Sequence, residues 1–220
     1  MKSLQKFGGI AALYMALAHM TGIIIFIVIL DYINITDIAQ KVAVNIQNQT
    51  IVFLTNLLMY VFFGFFLTVF CLALYNRLKA GAPALIQVAT VIGIIWAGSL
   101  IASGMVANAA LTPVVAINAT DPTQAALTWQ GIEPVIDGLG NANGEILGGL
   151  MTLMISIAAL RARAFAKGLN ILGLVIGSLG VISLIPMLTG TLTPIFGLTQ
   201  IIWFIWMGVV LLRSNPIQEA

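Results

Sequence analysis

The chain has 220 residues, of which 60% are hydrophobic and 7% charged, with a mean hydropathy of +1.09 and a net charge of +2. Soluble domains carry about 25% charged residues, so this chain cannot cover a water-facing surface and reads as a polytopic membrane protein. The near-neutral balance implies no nucleic-acid partner, and the single cysteine, Cys71, excludes an intrachain disulfide.

Lys2 and Lys6 precede an apolar stretch with no small-x-small site behind it, which reads as an uncleaved spanning helix rather than a signal peptide. Apolar runs over 8–30, 51–76, 83–111, 137–160, 168–188 and 194–213 predict six spans. Each is long enough to cross about 30 Å of hydrocarbon at roughly 1.5 Å per residue. The expected fold is therefore all-α, one six-helix transmembrane domain over 1–220.

Basic residues set the orientation. Eight of the nine fall before the first span, in the second and fourth connections, or after the sixth; only Lys41 lies on the other side. By the positive-inside rule both termini are cytoplasmic. The outer loops carry short amphipathic helices. Thr36-Asp37 caps one with Ile38, Val42 and Ile46 on a face, and Asp121-Pro122 opens another that Pro134 kinks or ends. Tyr32 and Trp129 suit a membrane interface.

Polar residues recur at helical spacing within the spans. The fourth carries Asp137, Asn141 and Glu145, the second Asn56, Tyr60, Gly64 and Thr68, and the sixth Gln200. His19 lies on the first, and Trp96 sits in the third. Counted from the cytoplasmic boundary, His19 lies at roughly 16 Å, Trp96 and Gln200 near about 20 Å, and Tyr60 and Glu145 near about 22 Å. Asn56 and Asn141 sit further out. Matching depths on five helices predict a polar cavity open to the outer face, built from Glu145, Asn141, His19, Tyr60, Gln200, Trp96, Asn56 and Asp137.

Glu145 is the sharpest of these positions. An ionisable group at membrane depth costs several kcal/mol unless partnered or wet. Its plainer reading is a neutral acid bonded to Asn141 or a neighbouring helix. Plainer readings also hold for His19, as a bond between helices, and for the Gly140, Gly144, Gly148 and Gly173, Gly177 steps, as helix packing.

The inventory excludes several chemistries. One histidine cannot build a three-histidine zinc site or bis-histidine haem ligation. No nucleophile elbow and no Gly-rich phosphate loop is present. No cofactor is implied.

Several motifs together resemble an uncharacterised family of bacterial six-helix integral membrane proteins. They are Gly8-Gly9-Ile10-Ala11-Ala12-Leu13-Tyr14, Leu74-Tyr75-Asn76-Arg77-Leu78-Lys79, Asp121-Pro122, the Gly-Leu-Gly-Asn-x-Asn-Gly-Glu-Ile core at 138–146 and Ala159-Leu160-Arg161. Phe196-Gly197-Leu198, Trp203 and the Gly208-Val209-Val210-Leu211-Leu212-Arg213 close complete the set. The resemblance covers nearly the whole chain and implies a bacterial inner-membrane location; it brings no activity, substrate or cofactor.

The leading expectation is a non-enzymatic protein whose outer pocket binds or moves a small molecule, a lipid head group or a proton-linked solute. One alternative is an accessory or assembly subunit, with other membrane subunits or a second copy as partners besides lipid. Another is an intramembrane acid/base enzyme using Glu145 and His19.

Overall fold

A computed structural model describes residues 2–140 and 144–214. Among them every regular element is helical. Helix α1 (Lys2–Ile23) runs on into a π-helical segment, Ile24–Ile29. Helix α2 (Ile38–Gln47) is short, and α3 (Gln49–Asn56) passes through a second π-helical segment, Leu57–Phe62, into α4 (Phe63–Leu78). The remainder are α5 (Pro83–Asn118), α6 (Pro122–Gly140), α7 (Ile146–Arg161), α8 (Lys167–Ile182) and α9 (Pro186–Arg213).

Among the described residues, four stretches are long and apolar enough to cross a membrane: Leu4–Ile29, Gln49–Leu78, Pro83–Asn118 and Pro186–Arg213. Helices α7 and α8 are apolar but have only 16 residues each, about 24 Å at 1.5 Å per residue. The fold is therefore that of an apolar helical membrane protein.

Helix packing closes a ring in the order α1, α4, α5, α7, α8, α9 and back to α1. At the end that holds the chain termini, Gln5 Nε2 donates to the Leu211 and Ser214 carbonyls at 2.9 and 2.8 Å. Arg77 donates to Gln5 Oε1, so one side chain laces α1, α4 and α9 together. Between α7 and α8 the backbones touch. A Cβ at Gly177 would stand 2.5 Å from the Leu153 amide nitrogen, and one at Gly149 would stand 2.7 Å from that of Val181. Close approach of this kind is how membrane helices associate where lipid offers no hydrophobic drive.

The interior of the ring is filled, not open. Phe63 stands edge-on to both Trp96 and Phe204 at about 6 Å, and Phe70 packs edge-on to Trp203 and Phe204 at 5.8 Å. These edge-to-face contacts are the favoured aromatic geometry.

Beyond the ring, at the end away from the termini, α2, α6 and the far end of α5 form a distal cap. Its core is Val42, Val52, Ala110, Leu111, Val114, Ala125 and Trp129. The sequence signals for its two helices hold. Asp37 accepts from the Gln40 amide at 3.1 Å and Asp121 from the Gln124 amide at 2.9 Å, each satisfying an otherwise orphan donor.

Four expectations change. The run 137–160 is not one helix: α6 stops at Gly140 and α7 starts at Ile146, with Gly144 at φ +123°, a conformation open to glycine but strained for other residues. The stripe from Asp137 to Glu145 is thus split between two helices, as are the glycines at 140, 144 and 148. The break between the last two helices falls at 183–185 rather than 189–193, because Pro186 takes the first helical position. Pro134 does not end α6, which continues to Gly140. Trp129 does not face an interface; it is buried in the cap core.

Candidate functional site

Both π-helical segments flank one cavity of about 350 Å³ between the ring and the distal cap. A π-turn widens the helix by one residue and is found frequently at functional sites. Here Phe26 and Ile27 come from the first segment and Met59 and Tyr60 from the second. Gly22 lets the two strands of the wall approach: a Cβ there would lie 2.1 Å from the Met59 sulfur.

Four of the expected residues line this cavity: His19, Asn56, Tyr60 and Asp137. His19 sits edge-on to Phe63, with ring centroids 6.1 Å apart, so the histidine rests on the aromatic filling of the ring. Its Nδ1 is buried and has no hydrogen-bond partner among the described residues. Asn56 Nδ2 donates to Asn108 Oδ1 at 2.9 Å, and Asn108 Nδ2 donates to the Phe53 carbonyl at 3.2 Å, which pins α3 to α5. Tyr60 packs along Gly104 and Gly140, and its hydroxyl lies within electrostatic reach of Asp137 and Glu145. Asp137 is exposed.

The other expected residues lie elsewhere. Gln200 is fully buried in the ring, where its Nε2 donates to Thr152 Oγ1 at 3.0 Å. Trp96 belongs to the aromatic filling, its ring edge against Gly148 and its Nε1 without a partner among the described residues. Glu145 is not among the cavity-lining residues. It occupies the N-cap position of α7 without a capping hydrogen bond from its side chain; its amide donates to Ser183 Oγ at 2.9 Å, and its buried Oε2 has no partner among the described residues. Asn141 lies outside the described residues.

The cap contributes residues that periodicity within spans did not single out: Tyr32, Asn45, Trp129 and Glu133. They form one network. The Tyr32 hydroxyl accepts from Asn45 Nδ2 and Trp129 Nε1, both at 3.2 Å, and donates to Glu133 Oε1 at 3.0 Å. Lys41 Nζ reaches both Glu133 oxygens at 2.9 and 3.0 Å and sits 5.3 Å from the centre of the Tyr32 ring. Burial, and then the negative charge of Glu133, hold the Tyr32 phenol above its ordinary value. It therefore stays a donor. A signal for this network was present in the chain: Lys41 is the lone basic residue among the carboxylates of the outer loops.

Below the cap, the end of α6 is held by α5. Ser103 Oγ donates to the Ile136 carbonyl at 2.8 Å and Ser99 Oγ donates to that of Leu139. These bonds tie the last turn of α6 to α5 and fix Asp137 between them on the cavity wall.

Comparison of the chain with protein-family models, with curated proteins and with solved structures finds no match, so the family resemblance rests on the sequence motifs alone.

Proposed function

We propose that the chain is a six-span protein of the bacterial inner membrane, with both termini cytoplasmic, and that its cavity opens to the outer face and binds a small ligand. The four long helices supply four spans. The α7–α8 hairpin supplies the other two, because it completes the ring and its loop carries Arg161, Arg163 and Lys167 on the side of the termini. Helices of about 24 Å are short for a bilayer core, and local thinning or flanking residues accommodate such a mismatch at modest cost.

The observation that carries the binding reading is the pairing of two π-helical segments across one cavity that also holds an unpartnered histidine. Ordinary helix packing needs neither. The cavity is of ligand size and mostly apolar with a few convergent polar groups, as binding sites are. The ligand is a small molecule or a lipid head group, and the protein acts on it by binding rather than by catalysis. An acid/base enzyme would need Glu145 and His19 at one reacting centre; His19 lines the cavity and Glu145 is not among its lining residues.

The test is cysteine accessibility in intact cells. With the buried Cys71 replaced by alanine, Tyr60→Cys and Asp137→Cys are expected to react with a membrane-impermeant maleimide added outside. A reporter fused after Arg213 is expected to remain inside. Labelling only after the membrane is permeabilised would refute the outward-facing cavity.

A further inference from the structure

One of the two carboxylates on the cavity wall has no bonded partner. Glu133 and Asp137 both line it, four residues apart on α6 and therefore on one face of that helix. The one cation nearby, Lys41, is spent on Glu133, with its Nζ bonded to both carboxylate oxygens. Asp137 has no hydrogen bond or ion pair among the described residues. Lys41 itself does not line the cavity; among the described lining residues His19 is the titratable nitrogen, and its Nδ1 is unpartnered.

The remaining wall is suited to the body of an organic cation. Phe26, Tyr60 and Trp129 present rings, and Ile23, Val52 and Met59 present aliphatic surface. Aromatic faces attract ammonium groups, more strongly where water is excluded. The cap already shows this preference, with the Lys41 ammonium standing over the Tyr32 ring. An anion entering the same space meets two carboxylates and no free cation, and burying like charges together without compensation is costly.

Resting on the reading of this cavity as a binding site, we infer that its ligand is a small organic cation, an ammonium with an apolar or aromatic body, whose charge is met by Asp137. Such a group can come from a free solute or from a choline lipid head group; the chemistry recognised is the same.

The experiment uses the full chain in a maltoside detergent and follows tryptophan fluorescence, since Trp129 is on the wall. Three probes of matched shape are titrated: phenyltrimethylammonium, its uncharged isostere tert-butylbenzene, and benzenesulfonate. The cation is expected to bind saturably, at least tenfold more tightly than the isostere, and the sulfonate not at all. Asp137→Asn is expected to weaken the cation at least tenfold and leave the isostere unchanged, while Asp137→Glu keeps the preference. Equal binding of cation and isostere, or an Asp137→Asn variant that binds the cation as well as the parent, would overturn the charge assignment and leave the cavity reading standing. Binding of none of the three would overturn both. Dihexanoylphosphatidylcholine as competitor separates the sources: displacement of the cation upholds the inference with a lipid head group as ligand, and no displacement upholds it with a free solute.

Discussion

Lys41 and Glu133 form the one ion pair among the described residues, 2.9 Å apart, and it joins α2 to α6 across the wall of the cavity. Both side chains are largely shielded, at 21% and 16% exposure, so the pair is screened less than a surface one. Removing Lys41 alone leaves the shielded Glu133 carboxylate without its cation beside Asp137, with the Tyr32 hydroxyl as its remaining partner. Lys41→Ala is expected to lower stability by about 1–2 kcal/mol, between the surface and buried limits. The double variant Lys41→Ala, Glu133→Gln is expected to recover part of the loss. Thermal unfolding in detergent measures both, and a single variant as stable as the parent would show that the pair does not hold the cap.

Tyr32 supplies a pH prediction. Its phenol is raised by burial and by Glu133. In the unfolded chain it ionises near about 10. Above that pH the unfolded state releases a proton that the folded state keeps, so stability falls as pH rises beyond about 10 and is unaffected below it. The alkaline loss is expected to be smaller in Tyr32→Phe. The phenolate absorbance near 295 nm, as a difference between parent and Tyr32→Phe, should show no Tyr32 titration in the folded protein at pH 10. A normal titration there would sink the prediction.

Gly177 and Gly98 make a contrasting pair. Gly177 faces the Leu153 backbone, whereas nothing lies within 4 Å of a Cβ at Gly98, which is exposed on α5. Gly177→Val is expected to abolish the folded protein, because backbone cannot move aside as a side chain can. Gly98→Ala is expected to be neutral or to stabilise by about 0.5–1 kcal/mol through helix propensity. Yield and monodispersity on size-exclusion chromatography distinguish the two.

Gln200 tests the boundary between site and scaffold. Among the described residues its side chain bonds Thr152, inside the ring. Gln200→Met is expected to cost about 0.6–1 kcal/mol, the usual value of a hydrogen bond between membrane helices. External labelling of Tyr60→Cys should be unchanged. A variant that altered that labelling while keeping its stability would place Gln200 in the site.

The long helices were legible because apolar runs of this length admit few other readings, and the cap helices because Asp37 and Asp121 are strong start signals. The break after Gly140 was not. Asp137, Asn141 and Glu145 keep perfect helical spacing, and spacing alone does not reveal that glycines interrupt the backbone between them. The π-helical segments leave no trace in the side-chain pattern, since they change which carbonyl each amide meets and not which residues are apolar. His19 and Tyr60, set by depth counting at roughly 16 and 22 Å, line one cavity. Depth counting had no means of separating them from Gln200, because depth says nothing about which way round the helix a side chain points. Asn45 and Glu133 raised no alarm for the opposite reason, since polar residues in water-exposed loops draw no notice until folding buries them, and Tyr32 was read only as an interface residue.

The edge-packed rings of Phe63, Trp96, Phe70, Trp203 and Phe204 have a consequence for timing and direction. On the outward-facing reading proposed above, they close the inner end of the cavity, so whatever enters leaves by the same door and occupancy follows the composition of one compartment. Net passage would require several of those rings to swing aside together.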